Sequence, residues 1–171
     1  AMPANCPSGT YQDETGQVDC KTCPAGFYCD LDDHCPEANF TQPRACPEGY
    51  YCPNGTRVST QFPCPAGTYN NGTHLEAVEQ CTPCTPGMYC GMDGLPAPTA
   101  LCADSYYCVL GSSTATPTDN TTGNLCPAGS YCPRGSAIPT PCPSGTYNPK
   151  EGSYNVSQCY WCTPGQYCEY E

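Results

Sequence analysis

Residues 126–168 read CPAGSYCPRGSAIPTPCPSGTYNPKEGSYNVSQCYWCTPGQYC, and residues 46–90 read CPEGYYCPNGTRVSTQFPCPAGTYNNGTHLEAVEQCTPCTPGMYC. Both follow C-x5-C, a gap, C, sixteen residues, then C-x2-C-x5-C, and only the gap differs, nine residues against eleven. A match this long is a tandem repeat, and it has to be recognised before a fold is proposed. Residues 6–29, CPSGTYQDETGQVDCKTCPAGFYC, supply half of the unit with a shorter loop of thirteen residues. Half units therefore begin at Cys6, Cys64 and Cys142.

The remainder is organised around these copies. Residues 1–45 read as a partial cysteine-rich repeat plus an insertion, in which Cys35 has no counterpart. Residues 46–90 form a complete repeat. Residues 91–125 read as an inserted module with its own C-x5-C, CADSYYC at 102–108, and the polar run GSSTATPTDNTTGN at 111–124, expected to be an exposed loop or short linker. Residues 126–171 form the second complete repeat.

Composition agrees with a stapled array. The chain has 171 residues and 19 cysteines, far above the level at which a disulfide scaffold becomes the default for an extracellular chain. Val, Leu and Ile together number only twelve, too few for one core. Small modules that cannot bury enough apolar surface are held by disulfides instead. The expected fold class is small and disulfide-rich: tandem cysteine-rich modules in an extended rod, with short β-hairpins and turns and little helix. Twenty-one prolines and seventeen glycines forbid long helices, and the best helical stretch is His74 to Gln80, two turns at most. The tyrosine that follows each turn (Tyr11, Tyr28, Tyr51, Tyr69, Tyr89, Tyr107, Tyr131, Tyr147, Tyr167) is expected to pack its ring on a nearby disulfide or proline and form the small core of its module.

Disulfides persist in oxidising compartments, so the protein is expected to be secreted or on a cell surface. Ala1 to Asn5 is too short and polar for a signal peptide, so a leader is expected to have been removed or the sequence to be a segment of a longer chain. No stretch is apolar enough to span a membrane. A formal charge of −11 with five basic residues argues against nucleic acid, which needs a basic surface.

At the residues C-P-x-G-x-Y-C and C-P-x-G-T-Y…C-x2-C-x-P/A-G-x-Y-C the sequence resembles the ephrin-receptor-like cysteine-rich repeats. These are related in style to EGF-like and tumour-necrosis-factor-receptor-like modules. The resemblance covers nearly all of the chain apart from 30–45 and 91–125, and implies a repeat class rather than a function. The sequons and Thr/Pro tract are similar in style to the cysteine-rich part of mastigoneme proteins, the hair-like filaments on algal flagella. Two pairings stand. In the first, similar to tumour-necrosis-factor-receptor modules, the long loops close on themselves as Cys6–Cys20, Cys64–Cys81 and Cys142–Cys159. In the second, each C-x5-C sends its latter cysteine forward, as Cys52–Cys64, Cys90–Cys102, Cys108–Cys126 and Cys132–Cys142. The first is preferred, and each bridge closing a loop of about 15 residues contributes roughly 3 kcal/mol. An odd cysteine count leaves one thiol free or bonded outside the chain, with Cys35, Cys162 and Cys168 the candidates.

N-glycosylation is the strongest chemical signal. N-x-S/T occurs at Asn39, Asn54, Asn71, Asn120 and Asn155, and attachment to exposed loops is the physical expectation. Thr114, Thr116, Thr118, Thr121 and Thr122 are O-glycan candidates by composition. The C-x-x-C pairs Cys20/Cys23, Cys81/Cys84 and Cys159/Cys162 recur within the repeat and read as scaffold, not as redox or zinc sites. Asp30, Asp32, Asp33 and His34 read as a solvated acidic loop, ahead of a Ca²⁺ site. No catalytic constellation and no cofactor or metal is expected. Trp161 beside Tyr160 reads as packed over the disulfides, ahead of an exposed contact hot spot. The leading reading is a non-enzymatic structural component of an extracellular glycosylated filament or coat that self-associates and carries covalent glycans. The alternative is the ligand-binding ectodomain of a receptor or adhesion protein.

Overall fold

A cysteine, a proline or small residue, any residue, then glycine recurs along the chain, and each occurrence folds the same way. Pro7 C=O accepts from Thr10 N–H at 3.0 Å, closing a turn whose third residue is Gly9. Gly9 sits at φ 87°, a conformation the third position of a type II turn requires and side chains resist. The computed structural model describes residues 6–30 and 42–168. Within these, nine turns that open a seven-residue segment occupy 6–12, 23–29, 46–52, 64–70, 84–90, 102–108, 126–132, 142–148 and 162–168 and are numbered 1 to 9 below; the same bend also recurs at 52–55 and 132–135. Turn 6 keeps the shape with Ser105 in place of glycine, at φ 69°.

In turns 1, 2, 4, 5, 7 and 8 the two residues after the bend form a short strand that pairs antiparallel with the residues just ahead of the next turn; turn 6 does so with three residues, and turn 3 makes the single bridge Tyr50–Pro63. Thr10–Tyr11 pairs with Lys21–Thr22, Phe27–Tyr28 with Arg44–Ala45, Met88–Tyr89 with Ala100–Leu101, and Thr146–Tyr147 with Tyr160–Trp161.

Two compact units are distinguished, one of residues 1–65, 69–82 and 93–97, the other of 66–68, 83–92 and 98–171. In the first, turn 2 is joined to turn 3 by four backbone bonds. Gly26 N–H donates to Cys52 C=O at 2.8 Å and Cys46 N–H to Gly26 C=O at 2.9 Å. Gly55 N–H donates to Cys23 C=O at 2.8 Å and Cys29 N–H to Thr56 C=O at 3.0 Å. Turns 3 and 4 repeat this step through Gly49, Asn70, His74 and Leu75. In the second unit the same step joins turns 5 and 6, 6 and 7, and 7 and 8. Turn 6, expected as part of an inserted module, takes its place in this ladder like the others.

Each step uses a bend about ten residues into the turn, with positive φ at His74 (67°), Gly55 (77°), Gly94 (73°), Gly111 (82°), Gly135 (85°) and Gly152 (71°). The carbonyl of that bend lies against the turn glycine two turns earlier. A Cβ would fall 2.6 Å from Gly55 O at Gly9, 2.9 Å from His74 O at Gly26, 2.6 Å from Gly111 O at Gly67 and 2.5 Å from Gly135 O at Gly87. At Gly49 it would meet Gly94 O. Glycine is thus held at these places by close backbone approach as well as by φ.

Nine disulfides use eighteen of the 19 cysteines. Cys6–Cys20, Cys64–Cys81 and Cys142–Cys159 close the long loops. Each C-x5-C that spans a turn closes on itself, as in Cys46–Cys52 and Cys126–Cys132, so the forward pairings Cys52–Cys64, Cys90–Cys102, Cys108–Cys126 and Cys132–Cys142 are corrected. The cause is the bend, which returns the chain so that the two Cα atoms lie 5.8 Å apart, inside the bridging range. The same geometry joins Cys162 to Cys168, Cα atoms 6.1 Å apart, which removes both from the candidates for an outside bond. Cys35, the cysteine left by this count, lies outside the described residues.

The buried core is cystine. Among the described residues thirteen cysteines are buried, eleven of them at 0–1% exposure. Val18, Leu110 and Ile138 are exposed. The tyrosines expected to form module cores are at best half-buried, and Tyr147 and Tyr167 are exposed. Cystine displaces them because each step of the ladder places a cysteine backbone, and with it the sulfur, at the inside of the turn. The 74–80 helix is corrected to one 3-10 turn at Val78–Gln80. His74 is left-handed at φ 67° and Ala77 is extended, so helical φ begins only after both. The 111–124 run is not a linker: Ser112 and Pro117 are fully buried in it, and Ala103 N–H donates to Ala115 C=O at 2.9 Å.

Candidate functional site

The exposed loops between turns carry the sequons. Asn54, Asn71, Asn120 and Asn155 are all exposed, while Asn39 lies outside the described residues. Glycan attaches at Nδ2. Asn54 uses its Oδ1, which accepts from Ala25 N–H at 2.9 Å. Asn155 likewise uses Oδ1, accepting from Ser157 N–H at 2.9 Å at the start of the 3-10 turn Val156–Gln158. Asn120 Oδ1 accepts from Asn124 Nδ2. In these three the carbonyl oxygen of the amide is engaged on a residue that is itself exposed.

Two other asparagines do a different job. Asn70 and Asn148, 4% exposed, stand where the other turns have their second cysteine. Asn148 Nδ2 donates to Ser130 C=O at 3.0 Å and its Oδ1 accepts from Lys150 N–H at 3.1 Å. Asn70 donates to Tyr50 C=O at 3.2 Å and to Gly72 C=O at 3.0 Å. The turn cysteine is thereby free to reach the far end of the long loop. Gln12 serves turn 1 in the same way, donating to Asp19 C=O at 2.5 Å and accepting from Glu14 N–H at 2.9 Å. Sequence reasoning missed these three; the signal was a polar amide at the seventh place of each turn that lacks a second cysteine.

Of the O-glycan candidates, Thr114, Thr116, Thr118 and Thr121 are exposed and Thr122 is half-buried. Thr122 Oγ1 donates to Asp119 Oδ2 at 2.9 Å. The Asp119 carboxyl is held below its ordinary value, first by the Thr122 N–H, then by the Thr121 N–H and the Thr122 hydroxyl. Lys21 donates to Asp13 at 2.6 Å and Glu14 at 2.9 Å across the first loop. Those bonds, Asp13 first, raise the ammonium's pKa and lower that of Asp13.

The two cysteines of each C-x-x-C bond in opposite directions, Cys20 to Cys6 and Cys23 to Cys29 for example, so these pairs are neither dithiols nor thiolate ligands. Among the described residues no group of three His, Cys, Asp or Glu is placed to hold a metal ion. Of the acidic cluster, only Asp30 is described. His74 packs its ring edge-on to Phe27, centroids 4.9 Å apart.

Exposed aromatics gather in turns 8 and 9 and in the segment between them. Tyr147 and Tyr160 face each other across the strand pair, centroids 6.1 Å apart. Trp161 is 80% and Tyr167 83% exposed, which corrects the expectation that Trp161 packs over the disulfides. On its strand Trp161 stands opposite Thr146, one place from Tyr160. Period-two alternation therefore turns it to the face opposite the Tyr147–Tyr160 pair.

No helix among the described residues is long and apolar enough to cross a membrane. No curated protein matches the chain in sequence. Nine disulfides suit a protein of an oxidising, extracellular or secretory compartment. Residues 4–32 match the family described as tyrosine-protein kinase ephrin type A/B receptor-like, so over this stretch the chain is similar to an ephrin-receptor-like cysteine-rich repeat.

Proposed function

We propose that the chain is a non-catalytic structural component of an extracellular glycosylated filament or cell-surface coat. The observation that carries this reading is the four-bond step. In each of the steps described the earlier turn offers the next an N–H and C=O at its glycine position (Ser105 in turn 6) and a C=O and N–H at its two cysteines, so a turn is held by its neighbours and needs no shared core. The exposed sequon asparagines support a glycosylated surface, and the net charge of −11 supports solubility while setting nucleic acid aside. Self-association and covalent glycans are the partners this implies. Negative-stain electron microscopy of native, unreduced material tests it. Fibres with a fixed axial repeat are expected, and dispersed single particles at all concentrations would overturn it. The exposed aromatics Tyr147, Tyr160, Trp161 and Tyr167 favour a second reading, a ligand-binding ectodomain. That reading takes over if only dispersed particles are seen.

A further inference from the structure

The sequon asparagines are alike in exposure, but their partner hydroxyls are not. The hydroxyl two places after the asparagine belongs to the acceptor signature, so a transferase has to reach it together with Nδ2. Thr56, which supplies it to Asn54, is 1% exposed. Its Oγ1 donates to Pro53 C=O at 2.6 Å, and its N–H donates to the same carbonyl at 3.2 Å. Thr73 beside Asn71 and Ser157 beside Asn155 are both exposed. Asn120 stands between these cases, because Thr122 is half-buried and its hydroxyl is held by Asp119 at 2.9 Å.

Turn 2 is what ties down the Asn54 sequon. Ala25 N–H donates to Asn54 Oδ1 at 2.9 Å, Gly55 N–H to Cys23 C=O at 2.8 Å, and Cys29 N–H to Thr56 C=O at 3.0 Å. All three residues of the sequon are therefore bonded to a turn far back in the chain. At Asn155 the bond is local, from Ser157 N–H to Oδ1 within the sequon itself. At Asn71 the Thr73 hydroxyl pairs with the ring of His74, an exposed neighbour, at 2.9 Å.

We propose that Asn54 accepts an N-glycan only while the step between turns 2 and 3 is open, whereas Asn71 and Asn155 remain acceptors in the folded chain. In the transfer, Asn54 Nδ2 bonds to the anomeric carbon of a lipid-pyrophosphate-linked oligosaccharide. The bond from that carbon to the pyrophosphate oxygen breaks, the lipid pyrophosphate leaves, and the amide gives up one proton. Ala25 binds the amide oxygen and the glycan takes the nitrogen, so a chain modified first keeps the acceptor its step needs. Cys23–Cys29 and Cys46–Cys52 close the two turns concerned, so oxidation of these thiols ends the interval in which Asn54 is modified. Such control rests on the glycosylated surface proposed above and makes one of its sites a record of folding order.

The test offers the full chain, produced without glycans, to purified oligosaccharyltransferase and its lipid-pyrophosphate oligosaccharide. One sample is oxidised, with its disulfides checked by mapping, and the other is reduced and alkylated. Occupancy at each sequon is followed in time by peptide mass spectrometry. In the oxidised chain Asn71 and Asn155 are expected to fill, with Asn54 slower by about tenfold or more, because its hydroxyl is reached only through local opening. In the reduced chain Asn54 is expected to fill as fast as Asn71. Asn54 matching Asn71 in the oxidised chain overturns the proposal, and so does Asn54 staying slow in the reduced one. An oxidised chain that refuses glycan at all three sites also overturns it, since burial of Thr56 then distinguishes nothing. In each of these cases the reduced chain still takes glycan at Asn71 and Asn155, and the glycosylated surface stands. No transfer to any sequon in either sample overturns both.

Discussion

Asn148 carries more of this fold than its type suggests. It is buried, it ties turn 8 to Ser130 of turn 7, and its backbone C=O accepts from Gly129 N–H at 2.7 Å. Asn148→Ala leaves the Ser130 carbonyl and the Lys150 amide short of a partner. It is expected to lower unfolding free energy by about 1–3 kcal/mol, read as a fall in the urea midpoint without a change in slope. A midpoint equal to wild type would mean water replaces the amide. Asp119 gives a second residue-level expectation. Its folded-state pKa is depressed by the amides of Thr121 and Thr122 and the Thr122 hydroxyl, so the stability it contributes is present above its unfolded pKa. That contribution is lost as pH falls through the lower folded value. A ¹³C titration of its carboxyl should show a midpoint below that of a free aspartate; a midpoint at the ordinary value would remove the Asp119 turn from the loop's supports.

At the scale of elements, the turn itself was legible. C-P-x-G fixes its shape through one glycine, and the repeat spacing marks where each turn begins. The three long-loop bridges were within reach through the resemblance. The self-closure of C-x5-C was not, because sequence gives a spacing of six but not the Cα separation of 5.8 Å that the bend creates. Asn70 and Asn148 were missed for a related reason: asparagine near glycine reads as an ordinary turn residue, and only the ladder shows that it fills the place of a cystine. Ser112 and Pro117 looked like linker composition, yet both are buried because turn 6 needs its bend, Gly111–Ser112, seated on turn 5. Tyrosines looked like core because they recur beside cysteine. Recurrence there reports the strand position, and a strand one residue from the bend leaves its ring half in water.

For the whole molecule, few aliphatic residues and a cystine core mean that solubility and surface chemistry fall to charge and glycan. Asn54, Asn71, Asn120 and Asn155 are all exposed. Enzymatic removal of N-glycans from native material is expected to lower the intact mass by at least two glycans' worth, with peptide mapping assigning them among these sites and Asn39. An unchanged mass would sink the glycoprotein reading and leave the acidic surface to keep chains apart.

The disulfides bear on how such a chain is made. Among the described residues their partners are 6, 14 or 17 residues apart and never more. Every pairing can therefore finish soon after its second thiol emerges during synthesis, before more distant thiols arrive to compete. Oxidation can follow translocation from the amino end, each new loop laid on one already locked. Isomerase is then needed mainly where neighbouring thiols emerge almost together, as Cys20 and Cys23 do, and an array of this kind can lengthen by duplication without making its own assembly harder.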